Sequence, residues 1–278
     1  MFKNVIHVPV FVYGATMTAL GISMSFRDKV IVVEKSGLLA REFVDSFNPG
    51  SGWGKKLLSR EADDLRAELE ARNILSEVSR IHLPAVAPVL FKKIKDEKLN
   101  FLFMTIVTGI RDIGTGYEIT LYNNSGFSRL TAGMIIDTTS LCEIAPSGTK
   151  KIKSKSINAV LSPADTNKGF PKTDNPLVEF IQGRFEDEVY LKYRLEVKDD
   201  WITARDKLHS FWITRSRALK DWNMSAAASS FAIKADAGPE EIRKNWFRNP
   251  SSAYGNLLEA YEAGILLNLK ESINHATM

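Results

Sequence analysis

The chain has 278 residues, 37 Lys plus Arg against 33 Asp plus Glu (formal charge +4), 44% hydrophobic residues, 17 Gly and 10 Pro, which excludes disordered, collagenous and low-complexity classes. The charge is too small for bulk electrostatics to imply a nucleic-acid or membrane partner. One cysteine, Cys142, excludes an intrachain disulfide framework and fits a reducing cytoplasm, and the scattered His7, His82, His209 and His275 form no zinc pattern.

No Asp, Glu, Lys or Arg stands between Lys3 and Arg27, and residues 5–24 are mostly apolar, as in a targeting segment or membrane helix. Pro9 and Gly14 interrupt the run, and Thr16, Thr18, Ser23 and Ser25 make it polar. The pattern instead predicts a strand over 8–13, a turn at Gly14 and a helix with Met17, Leu20, Gly21 and Met24 on one face. A second buried strand follows at Val30–Val33. Glu34 ends that strand, 20 residues after Gly14. In a dinucleotide-binding unit of this spacing a glycine makes the tight turn, helix amides face the pyrophosphate, and the acid bonds the ribose hydroxyls. The second glycine position is Thr16 here and the third is Ala19. Alanine still lets the helix pack on the strand; the threonine stands where backbone should approach phosphate, or offers its hydroxyl as a donor. A β-α-β unit that binds nothing stays open beside the dinucleotide reading.

Further along, 59–75 reads as an amphipathic helix with Ala62, Leu65 and Leu69 on one face, and 83–95 as another opened by Pro84. Meander strands are expected over 101–107, 117–122 and 127–130, separated by Gly114-Thr115-Gly116 and by Asn123-Asn124-Ser125-Gly126, and the strand-like run TAGMIIDTTS follows. The segment 145–156, with Lys150, Lys151, Lys153 and Lys155 among Pro, Gly and Ser, reads as a solvated crossing or exposed hairpin; no aromatic residue is interleaved for base stacking. Strands over 157–161 and 188–197 and a helix over 199–219 come next, then a closing helix over 251–269 with Leu258, Tyr261, Ile265 and Leu269 on one stripe. Arg205, Arg215 and Arg217 offer forks for a carboxylate, and His209 and Tyr193 offer acid-base groups, but surface or packed roles suit these residues better, so no catalytic residue is assigned. There is no Gly-x-Ser-x-Gly elbow, Walker loop or His-Glu-x-x-His signature, so hydrolase and NTPase readings lack support.

The run VPVFVYGATMTALG…VIVVEKSGLLAREF, followed about a hundred residues later by TAGMIIDTTS, resembles the FAD-dependent oxidoreductases with a glutathione-reductase-type flavin domain. The resemblance implies an α/β protein: a Rossmann-like FAD-binding domain with parallel sheet and β-meander, made of residues 1–140 and 240–278, and a second α+β domain on the substrate side over 141–239. It implies FAD as cofactor, hydride transfer between flavin and an unknown small-molecule substrate, and a cofactor-binding set of Gly14, Ala15, Thr16, Ala19, Glu34, Lys35, Arg41, Glu42 and Thr138. No metal, nucleic acid or membrane is implied, and a protein partner or homo-oligomer stays open. The chain departs from the family pattern at Thr16, at Thr139 where glycine is usual, and at Arg41-Glu42 where many members have small residues. The late Gly-Asp pair is missing as well, the nearest segment being Asp236-Ala237-Gly238. These departures suit the alternative of a non-catalytic, flavin-less subunit or assembly protein that keeps the fold. A nicotinamide-binding Rossmann enzyme fits less well, because the meander followed by Ile-Ile-Asp-Thr belongs to the flavin arrangement.

Overall fold

Two apolar runs set the frame of the computed structural model, which describes residues 6–146, 151–164 and 169–268. Strand β1 (Ile6–Tyr13) and strand β2 (Val30–Val33) pair in parallel, Val10 beside Val30 and Tyr13 beside Val33. Such runs need cover on both faces. Helix α1 (Met17–Phe26) connects them and is buried from Met17 to Ser23. No helix among the described residues is long and apolar enough to cross a membrane.

Helix α2 (Arg60–Ala71) opens on Ser59, whose side chain accepts from the Ala62 amide, and turns Ala62, Leu65 and Leu69 inward. Helix α3 (Val86–Asp96) follows a 3-10 turn at Leu83–Ala85 that carries the expected proline. The single strand expected over 101–107 is divided. Strand β3 (Phe101–Leu102) pairs in parallel with β2, and the chain crosses to β4 (Ile106–Asp112), the first meander strand. Strand β5 (Tyr117–Asn123) and strand β6 (Gly126–Asp137) complete the meander. The expected strand 127–130 and the run after it are one continuous element: β6 runs antiparallel to β5 and parallel to β1.

Strand β7 (Ile152–Pro163) begins inside the segment read as a loop, so Lys153 and Lys155 are strand residues; Lys150 lies outside the described residues. It heads a second sheet with β8 (Val178–Gln182) and β9 (Val189–Leu195), which reproduces the expected 188–197 strand with shorter ends. Helix α4 (Trp201–Ile213) is shorter than the expected 199–219 because the chain breaks at Thr214 and re-forms a 3-10 turn at Arg217–Leu219. Strands β10 (Trp222–Ala227) and β11 (Ala232–Ala235), unseen in the sequence, share one edge of β7. The chain then returns to the first sheet through β12 (Glu240–Arg243) and β13 (Trp246–Arg248), the latter parallel to β6. The closing helix α5 is Leu257–Ile265, capped by Asn256, whose Oδ1 accepts from the Leu258 and Glu259 amides at 3.0 Å each; the expected stripe residue Leu269 lies outside the described residues.

The first sheet is thus ordered β12-β13-β6-β1-β2-β3, with β5 and β4 fanned off the start of β6. Its cover depends on a close helix crossing. A Cβ placed on Gly21 of α1 would stand 2.0 Å from the Tyr261 carbonyl of α5, and one on Gly264 would stand 2.1 Å from the Thr18 carbonyl. Thr18 Oγ1 donates to the Ala260 carbonyl across the same contact at 3.0 Å. The second sheet turns Ile157, Leu191 and Tyr193 toward α4, while Val160, Tyr190 and Ile181 on its other face pack into the first core. Buried Glu188 ties the two parts together: it accepts from the Tyr190 hydroxyl (2.6 Å) and the Arg184 amide (3.0 Å) and pairs with His82 Nδ1 (2.8 Å).

Candidate cofactor cleft at the first helix N-terminus

Gly14 leaves β1 with φ +92°, a conformation that favours glycine, and its amide donates to the Val33 carbonyl at 2.9 Å. The side chain of Thr139 covers it, with Cγ2 2.6 Å from where a Cβ would be. Thr16 is the N-cap of α1: its Oγ1 accepts from the Ala19 amide at 3.2 Å and its hydroxyl donates to Thr138 Oγ1 at 2.8 Å. Thr138 in turn donates to the Tyr13 carbonyl at 2.9 Å, stitching the end of β6 to the end of β1. The hydroxyl hydrogen offered by the sequence as a phosphate donor is therefore spent on Thr138, while its oxygen caps the helix.

Four amides open this helix, and each has an acceptor inside the chain. Ala15 donates to Glu34 Oε2 (3.1 Å), Thr16 to the Gly14 carbonyl (2.9 Å), Met17 to Glu42 Oε1 (2.9 Å) and Thr18 to Ser251 Oγ (3.2 Å). Ser251 Oγ also donates to Glu42 Oε1 at 2.6 Å. The carboxylate of Glu42 thus sits where a helix N-terminus attracts an anion. Its arrival is set by the backbone: Ala40 adopts φ +56° and donates to the Ala15 carbonyl at 2.8 Å, which folds the 40–42 loop onto the turn. Glu42 is 5% exposed, and its Oε2 has no hydrogen-bond partner among the described residues. Burial raises its pKa above the usual glutamate range, against the bonds from Ser251 and Met17 that lower it.

Glu34 ends β2 with Oε1 accepting from the Ser36 amide (2.9 Å) and hydroxyl (2.6 Å). Around it lies a cavity of about 340 Å³. Ala15, Thr16, Glu34, Lys35, Arg41 and Glu42 line it, so the structure brings six of the nine sequence candidates together. Gly14, Ala19 and Thr138 do not line it; they shape the turn from behind, Ala19 and Thr138 being fully buried. Each lysine or arginine at this cavity is matched: Lys35 with Glu143 at 2.5 Å, Arg41 with Asp45 at 3.4 Å. Trp201, Phe231 and Ile233 of the second sheet region supply an apolar wall that the sequence did not assign.

Other candidates lie elsewhere. Arg215 stacks on Trp212, 4.4 Å from the ring centroid, and donates to the Trp212 and Leu219 carbonyls, closing the end of α4. Tyr193 faces α4 in the second core, while Arg205, His209 and Arg217 are exposed and line no part of the cleft. Asp236 pairs with Lys153 at 2.8 Å. The strand that returns beside β6 ends in Arg248-Asn249 rather than Gly-Asp, and the Asn249 amide donates to the Asp137 carbonyl at 2.8 Å. Arg248 is 2% exposed and held by Glu240 at 2.7 Å. Cys142 is buried, which pushes its thiol up to about 11 and makes it a poor nucleophile.

Asp137, fully buried at the end of β6, accepts from the Thr139 amide and hydroxyl and the Ile144 amide, yet burial outweighs these bonds and raises its pKa to about 6. An acid with a raised folded pKa binds more protons folded than unfolded, so stability falls as pH rises from about 4 to about 6 and is level above. The contribution is roughly 3 kcal/mol for a shift of about two units. Urea unfolding at pH 4.5 and 7.5 should show about 2 kcal/mol of this loss in the parent protein and none in Asp137→Asn; parallel pH profiles for the two would contradict it.

No protein-family model matches the sequence, and no curated protein matches it. Solved structures do. A flavoprotein/dehydrogenase from Cytophaga hutchinsonii is similar over 97% of this chain and 79% of its own, with TM-score 0.58 and 15% identity. Glycine oxidase from Geobacillus kaustophilus is similar over 97% and 95%, with TM-score 0.61 and 10% identity. Aklavinone-11 hydroxylase, solved in a ternary complex with FAD and aklavinone, is similar over 88% of this chain and 57% of its own, with TM-score 0.50 and 14% identity. The chain has the Rossmann-like α/β fold of the FAD-binding flavoproteins.

Proposed function

We propose that the chain is a flavoprotein oxidoreductase that holds FAD in the cleft beside α1, with residues 1–140 and 240–278 as the cofactor part and 141–239 as the substrate side. The observation that carries this reading is Glu34: its carboxylate ends β2 at the switch-point cavity, where a ribose diol is bound in sheets of this kind. When bound, FAD supplies the acceptor for a hydride from a small-molecule substrate. The residues fit the adenosine end of that cofactor. They do not fit its diphosphate as the side chains stand, because Glu42 holds the helix N-terminus and no cation at this cavity is left without a carboxylate partner. That observation favours a second reading, a flavin-less protein that keeps the fold.

The visible spectrum of gently purified protein, followed by titration with FAD, separates the two. Flavin bands or saturable uptake support the first; a colourless protein that takes up no FAD supports the second. Within the first reading, Glu34→Ala is expected to weaken FAD by roughly 1.5 to 3 kcal/mol, the size of hydrogen bonds to a charged group. An unchanged dissociation constant in this variant would mean that the ribose lies elsewhere.

A further inference from the structure

The inner face of the second sheet changes character along its length. Directly paired residues share a face, so Val160, Tyr190 and Ile181 lie together and join the first core. Toward the other end the same face carries Lys192 paired with Asn158, Arg194 paired with Ser156, and Lys234 paired with Ser154. A sheet face turned toward the body of a protein ordinarily continues apolar. Here it becomes cationic and stands over a cavity of about 490 Å³, closed from the first part of the chain by Gly50, Ser51 and Tyr254.

Carboxylates do not balance these charges. Glu179 is the one acid lining the cavity, and it serves both Lys192 (3.5 Å) and Arg194 (3.9 Å) at long range. Lys153 at the rim has Asp236, and Lys155 is bonded to the Val197 and Asp199 carbonyls. The ammonium of Lys234 has no partner among the described residues. Nearby Glu259 is already engaged by Asn256, the Gly255 amide and Lys55. Partial burial holds Lys234 below the usual lysine range, against the charge of Glu259, which raises it, and with smaller contributions from the like charges of Lys153 and Lys192. Like charges on neighbouring strands cost stability unless something of opposite sign sits between them.

We propose that this cavity binds a small molecule through an oxyanion group, a phosphate or a carboxylate, seated between Lys192 and Arg194 on β9 and Lys234 on β11 with the Ser154 hydroxyl on its floor. The guanidinium fork of Arg194 and two ammonium groups supply charge-assisted donors from separate strands, a layout suited to an anion with several oxygens. Ile233 lines both this cavity and the cleft at α1, so the two spaces adjoin. The anion site stands on its own residues; only its use as the substrate seat rests on the flavoprotein reading.

The test is calorimetric titration of the full chain, without added flavin, with inorganic phosphate, pyrophosphate and succinate at ionic strength held constant with chloride. Saturable binding of at least one of them is expected, weakened at least about tenfold in Arg194→Gln/Lys234→Gln and unchanged in Lys220→Gln, an exposed lysine away from the cavity. Binding of the phosphates alone or of succinate alone tells the two sources apart. No binding by the parent, or equal binding by the double variant, overturns the proposal. Both positions are exposed, and a matching thermal midpoint for the double variant excludes misfolding as the cause. FAD titration of the same samples reads the cofactor question separately, so either idea can fail alone.

Discussion

Replacing Gly21 with alanine is expected to destabilise the protein by more than about 3 kcal/mol, beyond the usual cost of overpacking. The added methyl would lie 2.0 Å from the Tyr261 carbonyl and 2.8 Å from the Ile265 nitrogen. Both are backbone atoms of α5, so no rotamer change relieves the overlap and the two helices must part. Parting them breaks the Thr18 to Ala260 bond and opens the core to which Leu20, Ile22 and Leu258, each fully buried, belong. A fall of roughly 10 °C in the thermal midpoint follows for a chain of this size. Gly54→Ala is the matched control, because a Cβ there meets nothing within 4 Å, and it should stay within about 0.5 kcal/mol of the parent. Similar midpoints for the two variants would show that α1 and α5 are not held this closely.

Removing the carboxylate of Glu42 is expected to strengthen binding of FAD at least about tenfold. A diphosphate arriving at α1 must displace that carboxylate from the Met17 amide and the Ser251 hydroxyl or share the seat with a like charge. Bonds to a charged group are each worth about 1.5 to 3 kcal/mol, and every 1.4 kcal/mol recovered is tenfold in affinity. Glu42→Ala releases both bonds and removes the repulsion. Glu42→Gln keeps an acceptor and removes only the charge, so it should fall between alanine and the parent. Glu42→Ala also leaves the Met17 amide without its acceptor, so a stability loss of about 1 to 3 kcal/mol is expected beside the gain in affinity. Weaker FAD binding in both variants would make Glu42 a ligand of the cofactor rather than its competitor.

The frame of the fold was legible where apolar runs are long and bounded by turn residues. Val30–Val33, the Gly14 turn and the Ser59 cap all signal through local chemistry, and so does the resemblance they carry. The continuity of β6 was not legible: nothing in Leu130-Thr131 marks the point where its partners change, because a strand switches neighbours without changing its own conformation. The lysine-rich start of β7 read as a loop because a strand face that lines a charged cavity lacks the apolar alternation that signals a half-buried strand. At the cleft, residue types and spacing pointed to Glu34 and the turn. The position of Glu42 follows from a left-handed Ala40, a conformation alanine seldom adopts and no sequence pattern announces.

The glycine contact between α1 and α5 also dictates an order of events during synthesis. The turn at Gly14 and the cap at Thr16 leave the ribosome early, yet the partners of this region, Ser251 against Glu42 and Tyr261 over Gly21, are encoded 209 and 240 residues after the groups they meet. Contacts so distant along the chain form last, after most of the loop-closure entropy has been spent. The apolar side of α1 therefore waits uncovered while the second sheet is being translated. The cavity beneath the second sheet is closed by Tyr254 and Gly255, so in a growing chain any ligand that depends on that cavity is loaded after translation has passed residue 255, as a step of maturation.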